Sequence, residues 1–445
     1  MSGSIVSQRP WWSRLVRNPW TWIVLATILA SAALLYSQYR IFHADTPVTV
    51  DGKKYLIPGI TMRSFKIAFQ YAWPTAAVWS LLFIWLDRFR TRHLAIWFTV
   101  FAWGGPVATT ASLHINTWMA GLLKVDGGVD PTQGAGPAIY SAPFVEETCK
   151  ATILFLLALF MRERLTSIVQ TVSLAGLSAI GFAFIENVIY YARADNYARI
   201  TIAAGDPIEA VRRQAFLRGV VTSFGHPLFT SMTGIGLALG LRSRSRLVRI
   251  LAPVTGFLGA VIGHMAFNGT LSVVPEDKLM TYWFIALGLV ASVVVFLVIR
   301  LFREGRMIRN RLGDYVVMGW LTPRDPIVLS AMRRRWWIGF VALSHGLRTW
   351  WATLAFMRAT TELAYLRDAV TRGTVDGAEA RQKELLDRIE GLRPRAVTES
   401  AGARPVPPHL PAWWPRRRQI AQAVRRFAPP APGSRPAAGW APPRP

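Results

Sequence analysis

Apolar positions along the chain gather into eight runs, at about 20–37, 67–86, 94–114, 144–161, 166–191, 219–241, 250–271 and 280–301. Each approaches the ~20 residues that a helix needs to cross a hydrocarbon core. In lipid the backbone must satisfy its own polar groups, so the pattern predicts an all-α, polytopic membrane bundle of about eight transmembrane helices. Arginines mark alternate loops: Arg9, Arg14 and Arg17; Arg88, Arg90 and Arg92; Arg162 and Arg164; Arg242, Arg244, Arg246 and Arg249; Arg303, Arg306 and Arg309. These sites share one side only if the number of spans is even, and the positive-inside rule then puts both termini in the cytoplasm. The first run could be read as a signal peptide ending at Ala30-Ser31-Ala32; its Arg-rich flank and Trp20 and Trp22 are read as an uncleaved anchor.

Between the first two runs, the alternation from Val48 to Ile57 around Asp51-Gly52 predicts a small external hairpin. The external loop from Arg193 to Arg218 is expected to hold a short helix opening at Pro207. Three regions follow: a transmembrane bundle over 1–302, with a core at about 140–272; a cytoplasmic or interfacial helical region over 303–392; and a tail over 393–445. Past Arg303 no apolar run reaches spanning length, and Trp336, Trp337, Trp350 and Trp351 alternate with Arg333, Arg334, Arg335 and Arg348. Trp and Arg together suit a headgroup layer, so anionic lipid is the expected partner of this basic region. Glu362 to Leu392 reads as a charged helical hairpin broken near Gly373 and Gly377. The last 53 residues hold 13 prolines and read as disordered.

Composition narrows the class. Of 445 residues, 52% are hydrophobic and 17% charged, against roughly 25% charged in an average soluble domain. The net charge of +26 alone would raise a nucleic-acid reading. The 19 Trp, 23 Phe and spanning runs exclude it, so no nucleic-acid partner is expected. A single cysteine, Cys149, precludes an intrachain disulfide or a thiolate metal cluster. Only seven of the 51 basic residues are lysine; with abundant Ala and Pro this is the usage of GC-rich coding, and the expected home is a bacterial inner (plasma) membrane.

Few ionisable groups remain inside the spans: Glu146, Glu147 and Glu186, Lys150, and the histidines His226 and His264. Each charge held in hydrocarbon costs at least about 2.5–3.5 kcal/mol on insertion scales, so their retention points to function. Counting ~1.5 Å per residue along each helix places all of them toward one external layer, with His226 about 12 Å below Arg218. Lys150 stands four and three residues beyond the two glutamates, so the three heads share a face. His226 and Thr230 are four apart, as are His264 and Asn268, giving each imidazole a hydrogen-bonding neighbour one turn on. Two imidazoles with two or three carboxylates match the donors of a catalytic zinc site that keeps a position for water.

These residues also carry a resemblance. Glu146-Glu147-x-x-Lys150, Phe182-x-x-x-Glu186-Asn187, His226 with Pro227 and Thr230, and His264-x-x-x-Asn268, in that order on successive helices, resemble the motifs of the PrsW family of intramembrane proteases. They are more distantly similar to CAAX-type prenyl-protein endopeptidases. The resemblance covers about 140–270 and implies an intramembrane endopeptidase acting at the extracytoplasmic side, typically making the first cut in a membrane-anchored anti-sigma factor. In the CAAX relatives the second motif ends in His where this chain has Glu186, which leaves open whether a metal or a glutamate-activated water does the work.

On this reading Glu146 or Glu147 is the general base, Glu186, His226 and His264 hold a metal, with zinc as the expected cofactor, and Asn268 stabilises the oxyanion. Lys150, Asn187 and Thr230 support them. The alternative is a non-enzymatic, proton-coupled transporter or scaffold using the Glu/His cluster as a relay. Such sites usually lie at the midplane between repeats, and no repeat is visible here. A Cys149 nucleophile is disfavoured by the flanking Glu146 and Glu147, which would raise its pKa.

Overall fold

In a computed structural model the described residues are 13, 16–50, 53–89, 94–122, 139–162, 165, 167–201, 205–273, 275–399 and 404–405. Most of the Pro-rich tail, the Asp51-Gly52 turn and most of the loop between the third and fourth apolar runs lie outside them. Helix α1 (Pro19–His43) leads into an antiparallel hairpin of β1 (Thr46–Val50) and β2 (Lys53–Ile57), with Thr46 opposite Ile57 and Val50 opposite Lys53. Next come α2 (Met62–Leu86) and α3 (Leu94–Ala102), which passes through a π-helical stretch, Trp103–Ala108, into α4 (Thr109–Leu122). The central elements are α5 (Ser141–Phe160), α6 (Ile168–Ile200), the short α7 (Pro207–Phe216) with a second π-helical stretch at Leu217–Val221, α8 (Gly225–Leu241) and α9 (Arg246–Val273).

Six described helical stretches are long and apolar enough to cross a membrane, α6 among them. Of the other two predicted spans, α8 lies inside the bundle, and α5 turns a charged face inward while Phe144, Phe155, Leu159 and Phe160 are exposed. α5 carries Glu146, Glu147 and Lys150, and α8 has 17 residues. A helix surrounded by protein needs neither full length nor an all-round apolar surface, because its neighbours supply the low-polarity contact. α6 is the hub, buried along almost every turn from Ile168 to Ile180. At two crossings glycine brings backbones together: a Cβ on Gly181 would strike the Phe101 carbonyl, and one on Gly236 of α8 would meet Gly256 of α9.

Some boundaries move. α6 continues to Ile200, past the Arg193 taken as the span's outer end, because Asp195 and Arg199 form a bidentate pair one turn apart (2.8 and 2.9 Å) that carries the helix on. The expected helix at Pro207 is present and is capped by the Asp206 side chain. α10 (Glu276–Val317) runs 42 residues without a break, so the change in composition at Arg303 falls within one helix.

Beyond α10, α11 (Asp325–Leu329), α12 (Met332–Ser344), α13 (Leu347–Thr371) and α14 (Glu379–Leu392) form a second bundle continuous with the apolar core. The turn between α13 and α14 uses Gly373 and Gly377 in left-handed conformations (φ 59° and 64°), the break expected there. Arg335 is buried in this bundle, donating to the Leu329 carbonyl (3.2 Å) and to Thr361 Oγ1 (2.8 Å). Burial pushes its guanidinium down to about 10, which still leaves it a cation at neutral pH.

Candidate active site

The site grows from α5. Glu146, Glu147 and Lys150 share a face, as their spacing requires, with Lys150 Nζ 2.6 Å from Glu147 Oε1 and 3.7 Å from Glu146 Oε2. The ammonium also lies 3.0 Å from His226 Nδ1 and 4.4 Å from the centre of the Phe182 ring. Lys150 and Glu147 are wholly buried. Two hydrogen bonds fix the α5 backbone behind them: Ser178 Oγ donates to the Lys150 carbonyl (2.9 Å), and Trp103 Nε1 to that of Cys149 (3.1 Å).

From α6, Glu186 Oε2 meets His226 Nε2 (2.9 Å) and accepts from Arg218 Nη2 (2.6 Å). Arg218 Nε donates to Asn187 Oδ1 (2.8 Å), and the guanidinium lies 3.9 Å over the Tyr190 ring. One planar fork thus holds three neighbouring positions on α6, which a lysine point charge cannot do. The sequence reading took Arg218 for a loop residue some 12 Å above His226. The π-helical stretch and the break at Thr222–Phe224 fold the chain instead, so that Arg218 reaches into the site. The only cue in the sequence was the polar pair Thr222-Ser223 inside an otherwise apolar run.

α8 and α9 close the arrangement. Thr230, one turn after His226, donates to Glu147 Oε2 (2.8 Å), and His264 Nδ1 lies 3.1 Å from Glu147 Oε1. His264 Nε2 faces Glu146 Oε2 at 3.9 Å. Phe229 stacks on the His264 ring, and the two imidazoles stand at 88° with centroids 5.1 Å apart. A cavity of about 370 Å³ opens here, lined by Glu146, Glu186, Asn187, Arg218, His226, His264 and Asn268 among others. Glu147 does not line it; Lys150, Thr230 and His264 occupy its oxygens.

All nine residues singled out in the sequence therefore come together, but their partners differ from the expected ones. The three that each bring a ligand atom within 4.8 Å of the others are Glu146, His226 and His264. Glu186 stands outside that group, and its Oε2 is shared by Arg218 and His226. A metal fits the Glu146 set on two observations: Glu146 Oε2 is buried and accepts no hydrogen bond, and the donors are carboxylate and imidazole, suited to a borderline divalent ion.

Residues 92–300 match the family model described as PrsW family intramembrane metalloprotease. Comparison with curated proteins and with solved structures yields no match. The matched stretch is wider than the resemblance drawn from the motifs. It begins just before α3, ends inside α10, includes every residue of the cavity's charged lining and stops short of the second bundle. Ionisable groups that hydrocarbon would otherwise exclude are thus concentrated in the one segment the family model covers: residues 92–300 are similar to PrsW family intramembrane metalloproteases, and the chain is an intramembrane endopeptidase.

Proposed function

We propose that this endopeptidase cuts membrane-anchored proteins near the extracytoplasmic face of a bacterial inner membrane, with zinc held by Glu146, His226 and His264. The observation that carries the reading is the buried, unbonded Glu146 Oε2 facing His264 Nε2 on the wall of a cavity large enough for an extended stretch of peptide. When bound, zinc supplies Lewis acidity and a water whose pKa falls to about 7.

The chain's own groups do the remaining work. Glu147 accepts from His264 Nδ1 and so directs Nε2 into the cavity, an arrangement that fixes tautomer and ring orientation. Lys150 pairs with Glu147 and limits the freedom of His226. Glu186, the other carboxylate on the cavity wall, lies beside His226 Nε2 and is placed to receive a proton from water and return it to the leaving amine. Asn268 lines the cavity one turn beyond His264 and is assigned to the developing oxyanion. An anti-sigma factor with a single span is the substrate class to which the family resemblance points.

The test is cleavage of single-span membrane proteins by purified enzyme, with and without chelator, alongside elemental analysis. We expect near one equivalent of zinc, lower in His264→Ala, and loss of cleavage in Glu146→Gln and on chelation, with recovery on adding zinc. Full activity in protein measured to be metal-free, or in Glu146→Gln, overturns the assignment.

A further inference from the structure

The second bundle exposes an apolar face to which the protease reading gives no task. On α12, Trp336, Trp337, Phe340 and Leu343 are 62%, 43%, 58% and 47% exposed. Arg335, Ile338, Val341 and Ala342 on the other side of the same helix are buried. The exposed positions follow the i, i+4, i+7 pattern of a single helix face. Across the Gly346 turn, Leu347 and Trp351 at the start of α13 are exposed as well. A contiguous surface of this kind marks a contact with something else.

Its location and charge identify the occupant. The Ser330 carbonyl, two residues before α12, lies against Gly305 of α10, and the Arg335 guanidinium sits 5.7 Å from the ring of Phe89, three residues past the end of α2. α12 therefore starts at the level where α2 ends and where the long apolar stretch of α10 gives way to arginines. From Ser330 to Thr361 the chain has five arginines and no acidic residue, and Arg333, Arg334 and Arg348 are exposed. A protein partner of matching shape is not needed to explain such a face. Trp and Phe at the depth of a membrane surface, with unpaired arginines among them, are what a headgroup layer rich in phosphate binds. The acidic and basic residues of α14 cover a different side of α13, with Arg381 held by Glu362 and Glu384.

We infer that α12 and the first turn of α13 lie in the headgroup layer of the leaflet at which α2 ends, with Trp336, Trp337 and Phe340 in the interface and Arg333, Arg334 and Arg348 on the phosphates of anionic lipid. The second bundle is thereby held against the membrane along its length and not only through α10.

Full-length protein with Cys149→Ala and a single nitroxide at Phe340→Cys, Leu343→Cys or, as a water-facing control on α14, Lys383→Cys tests this in nanodiscs of phosphatidylcholine with or without phosphatidylglycerol. At 340 and 343 the label should be relaxed more by oxygen than by a water-soluble nickel chelate, with the reverse at 383, and the contrast should grow at least twofold with phosphatidylglycerol. Charge reversal at Arg333, Arg334 and Arg348 should remove that growth. Equal nickel accessibility at 340 and 383 overturns the lipid contact. A spin–spin distance between two copies at 340 assigns the face to a second chain instead. Identical depth with and without phosphatidylglycerol overturns the anionic part.

Discussion

At the scale of single residues, Lys150 decides how much charge the site tolerates. It is wholly buried and touches Glu147, Glu146 and His226. Lys150→Met is expected to destabilise the protein by about 3–5 kcal/mol, because it strands the Glu147 carboxylate in the core. Lys150→Met combined with Glu147→Gln should recover most of that stability and none of the activity; thermal unfolding and cleavage measured together check both. Arg218 offers a second test. Arg218→Lys keeps a cation near Glu186 but cannot also hold Asn187 and cover Tyr190, so we expect cleavage to fall about tenfold, ~1.4 kcal/mol of barrier, with little change in unfolding temperature. An unchanged rate would remove Arg218 from the site. The contrast between these residues shows what the sequence makes legible. Lys150 sits three and four residues from the two carboxylates it pairs with, and helical periodicity alone predicts that meeting, whereas Thr230, four residues from His226, donates instead to Glu147 on α5. Arg218 arrives through a π-helical stretch and a break and pairs there with Glu186, so this contact depends on tertiary folding that no spacing encodes.

Helices recognisable by apolar content alone were legible where they face lipid, and two of those whose bounds moved, α6 and α8, carry chemistry. α8 begins six residues later than its apolar run, since Leu217–Val221 belongs to a separate π-helical stretch. The extension of α6 to Ile200 was invisible because charged residues were taken to end a span, whereas a helix leaving the bilayer continues on ion pairs such as Asp195–Arg199. How α8 meets α9 is equally a matter of elements. Gly236 and Gly256 approach so closely that a Cβ on either would contact the other's backbone. Gly236→Val should cost about 1–3 kcal/mol through overpacking and shift His226 relative to His264, lowering cleavage with it. Gly288→Val on α10, where a Cβ meets nothing within 4 Å, is the matched control and should leave both unfolding and cleavage near wild type.

For the whole molecule, the arginine asymmetry predicts an orientation that labelling checks directly. In a Cys149→Ala background, a cysteine at the exposed Tyr55 of the hairpin should react with an impermeant thiol reagent from outside the cell, and one at Ser243 should be protected; the reverse pattern would invert the protein and move the cavity to the cytoplasmic side. The two bundles are tied by Asp368, which receives Arg242 from the loop after α8 (3.4 Å), Arg311 from α10 (3.4 Å) and Arg372 (2.9 Å), while Arg244 donates to the Arg372 carbonyl. Beside this clamp stands the unbroken α10. At ~1.5 Å per residue its 42 residues extend about 63 Å, roughly twice the hydrocarbon thickness. A rod of that length behaves as a lever pivoting within the bilayer: a tilt of about 10° about its membrane-embedded part swings the Val317 end by roughly 7 Å. A change of tilt with bilayer thickness is therefore expected to reach the second bundle through α10 and, through the Asp368 clamp, the end of α8, the helix that carries His226 in its first turn.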